Sequence, residues 1–526
     1  MKRSLLASML PLLAGASPVA AQETIPLYED ALGSYSWKVT TAEPRAQAYF
    51  NQGARLMISY AGSETRRSFE EAARIDPDCA MCWWGIVWSM GPTFNTGGSV
   101  GGSMDRVQEA VERARAAAAA ATPVERALIE AMAVRHGIGR SAPPTTRAPL
   151  DSAYAAALAK VYERFPHDPE VATLYADALM LLEPRRGAWP IEKPSVQLIH
   201  RVLEEVLAHD PRHPGACHAY VHATETTPKV VAAQRCADFL GAAIPGASHI
   251  NHMPSHTYNR VGRWGDATLA NLEARETDLR AERGEGFAIY PSHNLHMLFF
   301  SASMDGQGEV ARTAAVEYGQ YDGDGSIGFQ ALILARFGHF GRVLQLTTAP
   351  ADLLPLGYWH FGRGLAHLRE GRADSAAHHL AQLDSLAVSA TDRHRFRVHL
   401  ASDLLAIVGG ILRGEILRAG GSLEEAIGAV EAAVVVENRL TYDEPEPIPF
   451  LARDYLGALL LEAGRPEEAE RVYRAALEAR PKSGWSLIGL EQAVRVQGRT
   501  GDADALRQEF HRAWARADVR LTASRF

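Results

Sequence analysis

Apolar and small residues recur along this chain at helical spacing, and one set of positions returns again and again. The clearest unit lies near the C-terminus, in FLARDYLGALLLEAGRPEEAERVYRAALEARP. With Phe450 counted as position 1, Leu456 and Gly457 fall at 7 and 8, Ala469 at 20, Tyr473 at 24, Ala476 at 27 and Pro481 at 32. Apolar residues three and four apart on either side of a break predict two amphipathic helices. Small residues at 8, 20 and 27 let the two helices approach, and the proline at 32 ends the second. The register recurs from Ala46, with Tyr49, Gly53, Phe69, Ala72 and Pro77, and from Ala80, with Trp83 at position 4. It recurs again from Gly357, with Gly364 and Ala376, and from Ile407, with Gly414, Ala426 and Ala433. Between 151 and 211 it is helical but degenerate, interrupted by EPRRGAWPIEKP, and from Gly484 a weaker unit reads as a cap. The Val, Ile and Thr alternation that predicts strands is absent.

Five spaced constraints met together resemble the tetratricopeptide repeat, a helix–turn–helix of about 34 residues. The resemblance covers nearly all of the chain after its first residues. It implies an all-α protein, a tetratricopeptide-type α-solenoid coiled as a right-handed superhelix. Two stretches break the register. The glycines of TGGSVGGS, residues 96–103, predict a loop. TYDEPEPIP, residues 441–449, is acidic and Pro-rich. It reads either as a surface loop or as a segment folded over the groove, contributing Tyr442, Asp443 or Glu444.

Residues 214–304 hold seven of the twenty histidines, in HAYVHATE, HINHMPSH and HNLH. Frames starting at Pro214, Ser248 and Ser292 place Ala233, Ala267 and Ala311 at position 20. In these frames His218, His222 and Glu225 are at 5, 9 and 12. His249, His252 and His256 are at 2, 5 and 9, with Asn259 at 12 and Arg260 at 13. His293 and His296 are at 2 and 5. Positions 2, 5, 9 and 12 share one stripe of a helix. In the tetratricopeptide family that stripe lines the concave groove, so the resemblance places all seven histidines there, with Asn259 and Arg260. Neighbouring helices pack about 8–10 Å apart, a gap that imidazoles can span. Neutral imidazole and carboxylate are ligands for Zn, Cu or Fe, so a transition-metal ion is expected on His218, His222, Glu225, His249, His252, His256, His293 and His296. The bland alternative is a polar groove whose histidines hydrogen-bond a peptide or one another. Pro254, at position 7, predicts either a kinked helix or one that starts late. Trp84 and Trp88 are placed along the groove, and Trp83 in the core between repeats.

A narrower resemblance rests on DPDCAMCWWG, HMPSHTYNRVG and HNLHML, motifs similar to those of exported bacterial tetratricopeptide-type proteins. It implies a dedicated site and names no reaction.

Composition adds an address and several exclusions. Lys2 and Arg3, an apolar run over 5–16 and the small residues Val19-Ala20-Ala21 predict a signal peptide, residues 1–21, and a periplasmic or secreted protein. The apolar run is too short for a stable anchor, and no later stretch predicts a transmembrane helix. The remaining organisation reads as an N-terminal extension over 22–45, repeats with insertions over 46–213, the His-rich repeats over 214–323, and C-terminal repeats with capping helices over 324–526. Apolar content of 47% is that of an ordinary folded chain. The net charge of −8, with both signs interspersed, leaves no basic stripe for nucleic acid. Four cysteines are too few for a disulfide scaffold. Cys79 and Cys82 form a CxxC without the context of a thioredoxin, zinc or haem motif, which leaves a disulfide or two packed thiols. Cys217 and Cys236, at positions 4 and 23 of one repeat, face each other across the helix pair and predict a disulfide.

No Ser/His/Asp set, P-loop or dinucleotide fingerprint is readable. Two functions follow. One is an exported scaffold with a His/Glu-rich metal pocket, holding a peptide or protein partner, or a small-molecule substrate, in its groove. The other is a metal-dependent enzyme, an oxidase or hydrolase, with that pocket as its active site.

Overall fold

The computed structural model describes residues 25–28, 30–96, 103–140 and 146–526. The predicted signal peptide and most of the glycine-rich loop therefore lie outside the described residues. The chain is an all-α solenoid of antiparallel helix pairs of the tetratricopeptide type. The pairs begin with Pro44–Ile58 and Gly62–Ile75 and end with Gly484–Val496 and Thr500–Ala513. The reason is legible at Gly457: a Cβ there would stand 2.4 Å from the ring of Tyr473 on the partner helix. Only hydrogen lets Ala452–Glu462 and Pro466–Ala479 close around the buried tyrosine. Proline sits in the first turn of many of these helices, where the missing N–H has no intrahelical partner to lose.

The His-rich frames fall on helices Pro214–Glu225, Ser248–His252 with Pro254–Val261, and Pro291–Asp305. Pro254 divides the second of these into two short helices, so it both kinks the helix and restarts it. Each is followed by its packing partner, Gln234–Ala243, Trp264–Ala281 and Gly308–Glu317.

Two extended apolar cores run along the solenoid and meet at these helices. The C-terminal repeats fold back against the central ones. Trp485 donates its indole N–H to the carbonyl of Ser303 at 3.1 Å, and Trp264 donates to that of Pro481 at 2.9 Å. Asp518 accepts from the backbone N–H of Gly308 and Glu309, and so caps the first turn of that helix. The concave side is consequently filled. Residues 441–449 cross it and pair with the interruption at 185–189: Gly187 N–H donates to Tyr442 O at 3.1 Å, and Ala188 N–H to Thr441 Oγ1 at 3.2 Å. A two-residue hairpin, Arg395–Phe396 with His399–Leu400, projects Arg397 from its turn onto the same segment.

The aromatic expectations need correction. Trp84 does not line a groove, and Trp88 lines only a small cavity of about 50 Å³ beside Tyr60 and His218. Both are buried in the N-terminal core, Trp84 with its indole bonded to Leu128 O at 3.2 Å and Trp88 under the guanidinium of Arg135. Trp83, expected in the core, is half-buried beneath Arg113. A helix as apolar as Ala80–Ser89 buries most of its circumference, so its face to the core was not the stripe counted from the repeat frame. Cys217 Sγ and Cys236 Sγ are at disulfide distance, as are those of Cys79 and Cys82.

Candidate metal centre

The first helix of the central repeats carries the inner set. His218 and His222 are one turn apart on Pro214–Glu225, and Glu225 closes that helix. His218 Nδ1 donates to the carbonyl of Ile58 at 2.6 Å. His222 Nδ1 donates to Glu225 Oε1 at 2.8 Å. Each bond fixes the proton on Nδ1 and leaves Nε2 as a lone pair, and both Nε2 atoms are buried without a hydrogen-bond partner among the described residues. That is the arrangement a histidine needs to bind a metal.

His249 and His252 come from Ser248–His252, and His256 from Pro254–Val261. His252 Nδ1 lies 3.3 Å from Asn271 Oδ1; the amide of Asn271 donates to Ala267 O, so its oxygen accepts here. His252 Nε2 faces His256 Nε2 at 3.0 Å. A tetrahedral zinc ion would hold two such nitrogens ~3.4 Å apart, so a few tenths of an ångström of widening admits an ion. His256 Nδ1 contacts Glu225 Oε2, and Glu444 Oε2 at 3.1 Å. Tyr442 donates its hydroxyl to Glu225 Oε2 at 2.9 Å.

Three overlapping groups result, each with ligand atoms within 4.8 Å of one another: His218, His222 and His249; His252, His256 and His293; and His222, Glu225, His256 and Glu444. His222 and His256 each belong to two of them. All are buried except His293, which is half-buried. Burial holds His218, His222, His249, His252 and His293 well below the usual imidazole range, so they are neutral at pH 7. His256 is the exception. Burial acts against its charge, but Glu225 and Glu444 outweigh it and push the imidazole up to about 9. Burial likewise opposes ionisation of the two carboxyls. His256 and Arg185 hold Glu225 below its ordinary range, and Arg185 and His256 do so for Glu444.

The structure places the remaining predicted residues unevenly. His296 stands apart from all three groups. It is wedged among Phe299, Phe329 and Phe396, and its Nδ1 accepts from Arg397 Nη2 at 3.1 Å. Asp443 does not join the three groups; it pairs with Arg186 at 3.0 Å and Arg397 at 3.2 Å and lies 3.6 Å from His399 Nε2. Asn259 accepts from Ser301, and Arg260 lies over the ring of Tyr442. Six of the seven histidines are enclosed, and His293 is half-buried at the edge of the cluster; they do not line an open groove, because residues 441–449 and the C-terminal repeats cover the stripe.

Several residues at the centre had no signal in the repeat frame. Tyr60, at a positive φ of 58°, lays its ring against His218 and His249. Arg185 pairs with Glu444, donates Nε to Asn95 Oδ1 at 2.8 Å and lies over Phe94, which in turn packs on His222. Arg185 and Arg186 are adjacent cations in the irregular stretch EPRRGAWPIEKP, and the distant acidic insertion at 441–449 was the one hint of a partner for them; nothing in the repeat frame placed either at the centre. A cavity of about 310 Å³, half-open to solvent, lies against His293, Glu444 and Arg397.

An all-α solenoid with an enclosed histidine–carboxylate cluster is the class that this fold and site define. No family model and no curated protein matches the chain. Among solved structures it is similar to human IFIT1 in a dimer with m7Gppp-AAAA, at 10% identity and a TM-score of 0.30, over 90% of this chain and 91% of that one. It is similar also to yeast Tom70, at 12% identity and a TM-score of 0.30, over 89% and 92%.

Proposed function

We propose that the protein is an exported helical scaffold built around a buried transition-metal site, with one or two divalent ions held by His218, His222, Glu225, His249, His252, His256, His293 and Glu444 in subsets. The observation that carries this reading is the pair of unpartnered Nε2 atoms on His218 and His222, each with its Nδ1–H held by an oxygen. Buried polar atoms are nearly always satisfied, and a lone pair aimed into a polyhistidine cluster is satisfied by a cation. Nitrogen and carboxylate donors without thiolate suit Zn, Cu or Fe. Glu444 replaces His296 in the set, and Tyr442 orients Glu225. Elemental analysis of protein secreted by its own signal tests the proposal: at least one equivalent of Zn, Cu or Fe is expected, retained through dialysis. A metal-free preparation that also fails to take up added Zn or Cu would sink it.

A second reading, a metal-dependent oxidase or hydrolase, is favoured by one observation: the cavity of about 310 Å³ gives a small molecule access to the His293 side of the cluster. Binding of a long peptide along the concave face has less support, because residues 441–449 occupy that face.

A further inference from the structure

The cavity beside the cluster has its own chemistry, which deepens the metal reading and rests on it. Its wall includes Arg185, Arg186, Arg397, Asn95, Tyr290 and His293. Three guanidinium groups on one small cavity are uncommon unless something negative is held there, since each buried or half-buried cation must be compensated. Three carboxylates do compensate them: Glu225, Asp443 and Glu444. These three carboxylates match the three guanidinium groups and leave no negative charge over for the His256 imidazolium or for an ion. A divalent ion on Glu225 and Glu444 leaves two surplus positive charges, and Arg260, over Tyr442 on the far side, adds to the excess.

The arginines also keep donors in hand. Arg185 uses Nε on Asn95 and Nη2 on Glu444, while its Nη1 is buried with no hydrogen-bond partner among the described residues, 4.0 Å from Glu225 Oε1. Among the described residues Arg186 spends only Nε on a hydrogen bond, to Asp443. Arg397 is different: its Nη1 is fully used by Asp443 and two backbone carbonyls, and it fixes the wall. A guanidinium fork matches the two oxygens of a carboxylate or phosphate. The volume sits at the lower end of the roughly 300–1,000 Å³ in which small-molecule ligands are held.

We propose that this cavity binds a small oxyanion ligand, a carboxylate or a phosphate ester, against Arg185, Arg186 and Arg397 beside the metal. The test is isothermal titration of the full secreted chain, loaded with Zn(II), with succinate in one arm and inorganic phosphate in the other; zinc content is read on each sample. Saturable binding of one oxyanion at one per chain is expected, with phosphate alone indicating a phosphate ester and succinate alone a carboxylate. Affinity is expected to fall at least tenfold in Arg186→Gln, whose zinc content stays that of wild type, and at least tenfold in unloaded protein. Neither oxyanion binding to stoichiometrically zinc-loaded protein overturns the inference and leaves the metal reading standing, as does binding by Arg186→Gln equal to wild type. A chain that takes up no zinc overturns the metal reading and the surplus-charge argument with it.

Discussion

His222 and His256 hold the cluster together, because each belongs to two of the three ligand groups. Replacing either with Ala is expected to remove bound metal, read as a drop to less than a tenth of the wild-type metal content after dialysis. The repeat frame places position 9 on an open groove, where loss of a side chain would leave the fold unchanged. Both residues are instead fully enclosed, and each contacts a Glu225 oxygen. Each substitution is therefore expected to cost about 1–3 kcal/mol of stability as well, from a buried acceptor left without its donor. Thermal unfolding of the metal-free proteins separates the two effects. If the metal-free variants are as stable as metal-free wild type, the enclosure described here is wrong. A histidine outside the three ligand groups makes a cleaner pH probe. His136 is buried beside Arg135 and Arg147, and burial pulls its imidazole down to about 3. It is neutral in the fold but takes up a proton on unfolding below its ordinary value of about 6.5. The unfolded state then binds more protons, so stability is present above pH 6.5 and falls as pH drops towards 3. Relative to His136→Phe, wild type is expected to lose about 1.4 kcal/mol for each pH unit below 6.5. Parallel denaturation curves for the two proteins between pH 7 and 5 would refute this.

Among the elements, the segment 441–449 does most to shape the site. Its Tyr442 and Glu444 reach the cluster, and its Asp443 fastens it to Arg186 and Arg397. Asp443 is fully buried, so Asp443→Asn leaves two cations short of a partner and is expected to cost about 3 kcal/mol. The segment should then be cut faster by a protease in the native state, and wild-type resistance to cleavage there would show that other contacts hold it. The disulfide is the second element-scale device. Cys217 and Cys236 are separated by 19 residues, a loop whose closure stabilises by about 3 kcal/mol in the chain-entropy view. The pair ties the first histidine helix to its packing partner. Cys217→Ser with Cys236→Ser is expected to lower the unfolding midpoint, and ready alkylation of both thiols in native wild-type protein would refute the bridge. The helices themselves were legible because each repeat is local: a small residue such as Gly457 and a proline such as Pro481 act within one helix pair. The frames from Pro214 and Ser248 begin at the residues where their helices begin. Arg185, Arg397 and Tyr60 were not legible, because each reaches the centre from a distant segment through the winding of the solenoid. Repeat periodicity says nothing about which turns of a superhelix touch.

That winding decides what the molecule as a whole does with an ion. A cluster on an open groove would bind metal without much consequence for the fold. Here the ligands come from three successive repeats and from a segment more than two hundred residues later, between Glu225 and Glu444. The cluster also lies where the two apolar cores meet. An ion at this place would cross-link both halves of the chain, and its binding would be linked to global unfolding. Anything that binds only the folded state stabilises by RT ln(1 + [L]/Kd), about 2.7 kcal/mol at a free concentration a hundredfold above Kd. For a chain of this size that is a shift of a few degrees in Tm. Chelation is therefore expected to lower the midpoint of a single transition that includes both halves, while the far-ultraviolet circular dichroism of the native state stays helical. The helices pack through their own cores and do not need the ion to form. His256→Ala is expected to be insensitive to chelator. If chelation instead left the wild-type midpoint unchanged, or melted only residues 441–449 with the remaining helices unaffected, the cluster would not be the joint between the two halves.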